Sequence, residues 1–525
     1  ENLCQHAAEG KPPEGGFSRC QAGWNHDDSC LSQKTSQTVP IVHMRLFTRL
    51  FLSLLLALQP ASALPQSNYD ELPSLGDSSG QVISPQQDKA LGAAFMRQVR
   101  QAGMVLEDTE ATAYLAALGH KLAMYSENPG YGFTFFLVND PGINAFAGPG
   151  GYIGVNYGLF LTSESESELA GVMAHEIAHV TQRHLARAFE AQDRMSVPTA
   201  AALLAAILIG ATTDGSTGTA ALVATSAASM QYQINFTRAN EKEADSVGIQ
   251  TLADAGLDPF GMPQFFERLQ KNSKLYGTRP PEFLSTHPVT TNRIAEATSR
   301  AESFPRAASY NELDFQLIRA KLRIKSYKDP RQVLADHQRY RGESGGDSAA
   351  DRYEYALLLA ANERYGEARK IIQQLHDSDP DRITYRLALA RILGAEKQFG
   401  KAQDIYRSTL DLYPGNLVVI LPYASTMMTA GQADEAYQLL VDVSRKNLNS
   451  PQVFKMLAQA AGTSEHPLQT HAAMSQYYFL NGFTNQAIEQ LKLAAKTPGV
   501  TDYQTARIQA RIKALEELLE TKDSE

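Results

Sequence analysis

Alanine recurs at Ala356, Ala390, Ala424 and Ala458, a spacing of 34 residues. Ala368, Ala402 and Ala436 repeat at the same interval on a second track, and the pairs Tyr365/Phe399 and Pro380/Pro414 keep step with them. This period constrains the fold more than any single motif. Each unit must hold two helices that cross closely at the small residues. Each can bury its apolar face only against the next unit, so the units stack into an α-solenoid. An imperfect earlier unit is expected over residues 313–340. Beyond Ala458 the phase is lost, because Ala487 follows Ala436 by 51 residues. That shift predicts an irregular connection over 462–471 and then helices around 472–480 and 485–496, with Ala487 on the second helix of its unit. A closing helix is expected over 503–519. Solenoids of this kind bind peptides or partner proteins in a concave groove.

The whole chain has 525 residues, too many for one hydrophobic core. With 43% apolar and 20% charged residues it reads as globular, and a net charge of −9 without basic stripes argues against nucleic acid as a partner. Cys4, Cys20 and Cys30 all fall within the first thirty residues, so no thiolate or disulfide chemistry is available further along. Residues 1–43 carry no periodic apolar pattern and read as sequence upstream of the true start at Met44. From there, Met44-Arg45-Leu46-Phe47-Thr48-Arg49, the apolar run Leu50 to Leu58, and Ala61-Ser62-Ala63 compose a secretory signal peptide over 44–63, cleaved near Ala63/Leu64. The apolar run is too short to span a bilayer. A signal anchor behind a cytosolic tail is the other reading. The mature chain is expected to be exported with no integral membrane span, beginning with a flexible Pro/Ser/Gly/Gln-rich leader over 64–84.

Apolar residues at helical spacing predict helices over 85–100 and 108–125, with His120 a solvated or capping residue on the second. Residues 131–138 read as a strand, and 144–147 and 152–155 as a strand-turn-strand ribbon around Gly148-Pro149-Gly150-Gly151. An edge strand containing Asn144, Ala145 and Phe146 could pair with an extended peptide. Overlapping Ser-x-x-Glu boxes over 163–168 start a helix expected to run past His179 towards Ala188. His175 and His179 lie one turn apart on it, so their imidazoles can converge on one metal ion. Glu176 stands beside them, placed to take a proton from attacking water. Zinc suits two imidazoles and a carboxylate with a fourth position open. On a continuous helix His184 falls about 140° round from His179, away from the metal face. Gln182 and Leu185 stand where a metzincin needs glycine and a third histidine, which excludes that class. The apolar runs 197–209 and 219–230 read as a helical hairpin, either packed on the core or a mobile lid over the site. Further on, Glu241 and Asp245 share a helix face, while Glu243 points about 200° away from Glu241. Glu241 can complete a His/His/Glu zinc set, leaving Asp245 to accept the outer N–H of a ligand histidine.

The pairing of His175-Glu176-x-x-His179 with Glu241-x-x-Ala244-Asp245 resembles the gluzincin peptidases of the HtpX and CAAX-prenyl-protease type. Asn144-Ala145-Phe146-Ala147, Gly150-Gly151-Tyr152-Ile153 and Glu166-Ser167-Glu168-Leu169-Ala170 extend the likeness, which covers about residues 85 to 300. The export signal and the 34-residue units, the period of tetratricopeptide repeats, make the chain most similar to a periplasmic branch that joins such a protease to those repeats. The resemblance implies Zn2+ as cofactor, with Glu176 as general base and Glu241 as third ligand. Ser285-Thr286-His287-Pro288, with Arg293 close behind, also matches the branch. There the histidine is an inhibitory fourth ligand or a transition-state stabiliser. The implied setting is the periplasm of a Gram-negative bacterium. The implied substrates are unfolded or stalled outer-membrane proteins, and the implied partner is the outer-membrane protein assembly machinery. The expected fold is mainly α: an α+β gluzincin-type zinc protease domain with a small β-ribbon or sheet over 85–305, then an α-solenoid of tetratricopeptide repeats over 306–525. A non-catalytic periplasmic chaperone or scaffold that works through its repeats is the rival expectation.

Overall fold

The computed structural model describes residues 84–190, 238–276, 282–306, 312–341 and 347–523, together with Leu204 and Ala206. The signal peptide, the segment before it, the leader up to residue 83 and, those two residues aside, the apolar hairpin lie outside the described residues. The first helix, α1 (Pro85–Gln101), starts at a capping box in which Ser84 and Gln87 satisfy each other's backbone N–H groups, with Pro85 in the first turn. Asp108 caps α2 (Thr109–Met124) by accepting from the Ala111 N–H at 3.0 Å. Three strands follow: β1 (Thr134–Val138), β2 (Ala145–Ala147) and β3 (Tyr152–Asn156). They form one sheet in the order β1-β3-β2, with β1 parallel and β2 antiparallel to β3. The expected ribbon is therefore present as β2–β3, closed by a 3-10 turn in which Gly150 and Gly151 take φ of 66° and 75°. A Cβ on Gly151 would meet the Gly132 carbonyl oxygen at 2.6 Å, so both the turn angle and the space select glycine. The outer edge of β1 is occupied by the preceding loop through Leu106 N–H to Leu137 O and Asn139 N–H to Met104 O.

The short helix α3 (Tyr157–Thr162) leads to α4 (Glu166–Thr181), around which the domain is packed. Ser165 accepts from the Glu168 N–H at 3.1 Å, as the capping sequence predicts, while the Glu168 carboxylate accepts from the Glu164 N–H at 2.7 Å rather than from that of Ser165. Every residue from Ser167 to His179 is buried, so α4 is enclosed on all sides rather than amphipathic. Its wrapping consists of α2, the sheet, α6 (Arg238–Asp254) and α7 (Gly261–Tyr276). Two glycines set the spacing. A Cβ on Gly171 would lie 2.9 Å from the Met262 backbone, and one on Gly248 would lie 3.1 Å from the His175 nitrogen.

The helix is shorter than expected. It stops at Thr181, Arg183 turns the chain with a φ of 54°, and α5 (His184–Glu190) begins a separate axis. The expectation of one helix to Ala188 fails here because a left-handed non-glycine residue leaves no mark in the sequence pattern. The domain ends with α8 (Glu282–Thr286) and α9 (Thr291–Ala301), the latter capped by Thr290.

The array is built of α10 (Leu313–Ser326), α11 (Pro330–Arg341), α12 (Ala349–Ala361), α13 (Tyr365–Ser378), α14 (Ile383–Ala395), α15 (Phe399–Leu412), α16 (Leu417–Thr429), α17 (Ala433–Lys446), α18 (Pro451–Thr463), α19 (Pro467–Leu480), α20 (Thr484–Ala495) and α21 (Asp502–Asp523). The periodic alanines Ala356, Ala368, Ala390, Ala402, Ala424, Ala436 and Ala458 are all buried, where helices meet. The irregular connection expected over 462–471 is replaced by a tight turn. Glu465 takes a φ of 58°, and α19 starts at Pro467, whose missing N–H costs nothing at a first helical position. Ala487 is buried on α20, which follows α19 across a second short turn at Gly482, φ 81°.

The array packs on the helices of the first domain through polar as well as apolar contacts. Phe160 stacks on Phe315 at 5.3 Å. Arg100 donates to the Leu480 carbonyl at 3.2 Å, and the buried Glu110 lies 2.8 Å from Lys321 and 2.9 Å from Arg391. Burial alone would raise the Glu110 carboxyl, but Arg391 and Lys321 outweigh it and hold it below the ordinary carboxylate range. Glu110→Gln leaves Arg391 without its carboxylate, while Lys321 keeps Asp108 at 2.8 Å. Because Arg391 keeps some contact with solvent, the cost is expected at the lower end of roughly 3–5 kcal/mol. A depressed folded pKa stabilises above the unfolded value and is lost as the pH falls. The difference in urea midpoint between wild type and variant should thus be full at pH 7 and shrink below about pH 4. An equal difference at pH 7 and pH 3.5 contradicts the assignment.

Candidate metal centre and active site

Four buried side chains from three segments meet beside the middle of α4. His175 and His179 come from α4, Glu241 from the first turn of α6 and His287 from the turn after α8. The two α4 imidazoles face each other with Nε2 atoms 3.0 Å apart. His287 Nδ1 lies 3.3 Å from His175 Nε2 and 2.9 Å from Glu241 Oε1. The Glu241 carboxylate lies 3.6 Å from His175 Nε2 and 3.5 Å from His179 Nε2. Donor atoms from all four fall within 4.8 Å of one another, an arrangement that could hold one metal ion. His287 is held there by its N–H, which donates to Phe283 O at 2.8 Å, and by its ring, which packs on the fully buried Phe283.

Glu176 sits one position along from His175, 1% exposed. One side of its carboxylate accepts from the backbone N–H of Ala147 on β2. Its Oε1 has no hydrogen bond among the described residues, and lies 3.6 Å from His287 Nε2. Burial, opposed by the neighbouring His287 and His175, raises its pKa. Asp245 lies 3.0 Å from His175 Nδ1, on the opposite side of that ring from the cluster. Arg293 reaches in from α9 and clamps Asp245 with Nε and Nη2 at 2.6 and 2.8 Å, while its Nη1 lies 2.7 Å from Glu241. The guanidinium also covers the Phe266 ring at 4.8 Å.

These contacts settle the charges. Burial opposes ionisation of Glu241, but His287 and His175 hold its carboxyl far below the ordinary range. Asp245 is lowered likewise, against burial, by Arg293 and His175. Burial opposes a charge on His175, yet Asp245 and Glu241 raise it to about 9. His179 goes the other way, well below its usual value, pushed by burial and by the neighbouring His175 and His287.

His175, Glu176, His179, Glu241, Asp245 and His287, all singled out in the sequence, are thus brought together. The edge-strand residues are placed less uniformly. The Asn144 carbonyl accepts from Asn156 N–H at 3.0 Å, and the alternation of an antiparallel pair turns the Phe146 backbone towards β3 as well. Only Ala145 of the three, with Ala147 beyond it, presents its backbone to the outer edge. The Phe146 side chain belongs to the core, packed edge-on to Phe95 and Phe136.

Two neighbours had no role assigned to them. Arg293 was named only as part of the resemblance, close behind His287. His184 was set aside because a continuous helix turns it away; since α4 stops at Thr181, it instead folds back, fully buried, with its Nδ1 2.8 Å from Nδ1 of His179. It stands outside the four-residue cluster but against it.

Residues 109–301 match the sequence profile of peptidase family M48, and residues 394–460 that of the tetratricopeptide repeat. The buried His/His/Glu/His cluster, which could hold a metal ion, lies within the first of those matches. The chain belongs to peptidase family M48, in the group of beta-barrel assembly-enhancing proteases. It is 37% identical over 471 residues to the putative beta-barrel assembly-enhancing protease of Vibrio cholerae, covering 89% of this chain and 97% of that protein. Against the beta-barrel assembly-enhancing protease of Escherichia coli K12 it is 35% identical over 453 residues, 86% and 92% of the two chains. A more distant likeness, 34% over 184 residues, joins 34% of this chain to 35% of the mitochondrial metalloendopeptidase OMA1 of Arabidopsis thaliana. Among the described residues no helix is long and apolar enough to cross a membrane.

Proposed function

We propose that the chain is a zinc endopeptidase of the Gram-negative periplasm that cleaves unfolded or stalled outer-membrane proteins, docked to their assembly machinery through its repeats. The spacing of the donor atoms carries the metal assignment. A tetrahedral zinc with bonds of ~2.0–2.1 Å sets its ligand atoms about 3.3 Å apart; with either Glu241 oxygen, five of the separations run from 2.9 to 3.6 Å, and the whole set falls within 4.8 Å. His175, His179 and Glu241 are the ligands in this reading, and His287 fills the fourth position. When bound, the ion supplies a Lewis acid that acidifies water and polarises a peptide carbonyl. Glu176 takes the proton from the attacking water and hands it to the leaving amine. Its unpartnered Oε1 and raised pKa suit a group that must hold a proton in mid-reaction. Asp245 keeps the His175 ring oriented by accepting from Nδ1, and Arg293 keeps Asp245 in place.

The outer edge of β2 runs beside Glu176, which takes the Ala147 N–H, so the Ala145 backbone groups and the Ala147 carbonyl are placed to hold an extended substrate as an added strand. An unfolded outer-membrane protein offers such strands, and the names of the bacterial relatives support that class of client. His287 stands between Glu176 and Glu241, where the substrate carbonyl must enter. It acts as a latch that has to leave before cleavage.

Glu176→Gln should keep its full zinc content and lose at least about 10²–10⁴-fold in peptide hydrolysis; a zinc-loaded variant that still cleaves casein rules out the base. His287→Ala should cleave an unfolded β-barrel substrate faster than wild type under equal conditions. Equal or slower cleavage argues against a latch.

A further inference from the structure

The α4 helix ends at Thr181, and Arg183 turns the chain so that His184 heads α5 against the outer side of His179. The His184 side chain is wholly buried. Its Nδ1 lies 2.8 Å from His179 Nδ1, and its Nε2 lies 3.0 Å from Oε2 of Glu243 on α6. Arg187, one turn along α5, reaches the same carboxylate oxygen at 3.2 Å. Glu243 is the acid that helix geometry turns away from Glu241, and like Arg187 it is open to solvent, 38% exposed against 0% for His184.

The protons along this line follow from donor counting. An ionised carboxylate only accepts, so Nε2 of His184 bears the hydrogen that it donates to Glu243. The neutral His184 ring then has a bare Nδ1, which can only accept. The hydrogen between the two Nδ1 atoms therefore belongs to His179. That leaves Nε2 of His179 as a lone pair aimed at His175 and Glu241. Asp245 does the same for His175 directly, across 3.0 Å.

We infer that His184 and Glu243 are positioning residues that lock His179 in its metal-binding tautomer, so that each histidine of the pair is oriented by its own acid, one directly and one through a second imidazole. The inference rests on the metal-centre reading proposed above. An orienting partner of this sort acts on the ring's direction and basicity rather than on the reacting atoms, and removing one typically weakens metal binding by ~10–100-fold.

The test is zinc affinity of the full chain, measured by competition with a chromophoric chelator, alongside a thermal melt. His184→Ala should bind zinc about 10–100-fold more weakly than wild type. His184→Asn, whose amide oxygen stands where Nδ1 was, should recover most of that loss. Glu243→Ala, at a partly exposed position where folding is not at risk, should weaken binding in the same direction by a smaller factor. The inference is overturned if His184→Ala binds as tightly as wild type, if His184→Asn is as weak as His184→Ala, or if Glu243→Ala changes nothing. A wild-type chain that binds no zinc would instead strike the metal-centre reading itself.

Discussion

Three carboxylates, Glu176, Glu241 and Asp245, are buried within the reach of a few side chains, and the site depends on how that charge is balanced. Burying an isolated ion costs several kcal/mol even after relaxation. Among the described residues Arg293 is the one permanent cation in direct contact with two of them, and it is itself almost fully buried. One guanidinium cannot offset three acids. The negative charge shows in His175, drawn up against burial by Asp245 and Glu241, whereas burial with His175 and His287 drives His179 down and burial pushes Glu176 towards its neutral form. A divalent cation among His175, His179 and Glu241 is the compensating charge that such a cluster calls for.

The fold supplies the rigidity this arrangement needs. An enclosed helix cannot rotate without disturbing every neighbour, so α4 fixes the directions of His175, Glu176 and His179 together. Glycines at 171 and 248 let α7 and α6 come close enough for Glu241 to reach the histidines. Loss of that approach would open the ligand set at its carboxylate. The array is joined to the same domain through Glu110, Arg100 and the Phe160–Phe315 stack, so a partner held by the repeats is held at a defined place relative to α2 and α1.

Much of this was readable in the residues. Local spacing gave His175, Glu176 and His179 on one helix and Glu241 with Asp245 on another, because helical geometry alone decides which of those side chains share a face. The 34-residue alanine tracks announced the array, since close helix crossings admit only small residues. What could not be read depends on long-range or off-pattern backbone. Arg183 adopts a left-handed conformation without being glycine, and that one angle brings His184 back to His179. The parallel pairing of β1 with β3 depends on how the chain crosses the sheet, which alternation of side chains does not encode. Likewise the turn at Glu465 keeps the 34-residue interval of those at Glu363, Lys397 and Gly431, and the phase is lost only at the next short turn, at Gly482.

The central claim is that these side chains hold one zinc ion, with Glu241 as a direct ligand. Elemental analysis of the purified full chain beside Glu241→Gln, both matched for fold by circular dichroism, tests it most directly. The account predicts about one zinc per wild-type chain and a marked loss in the variant. A Glu241→Gln chain that keeps the full complement of metal, or a zinc-supplemented wild type that carries none, would contradict it.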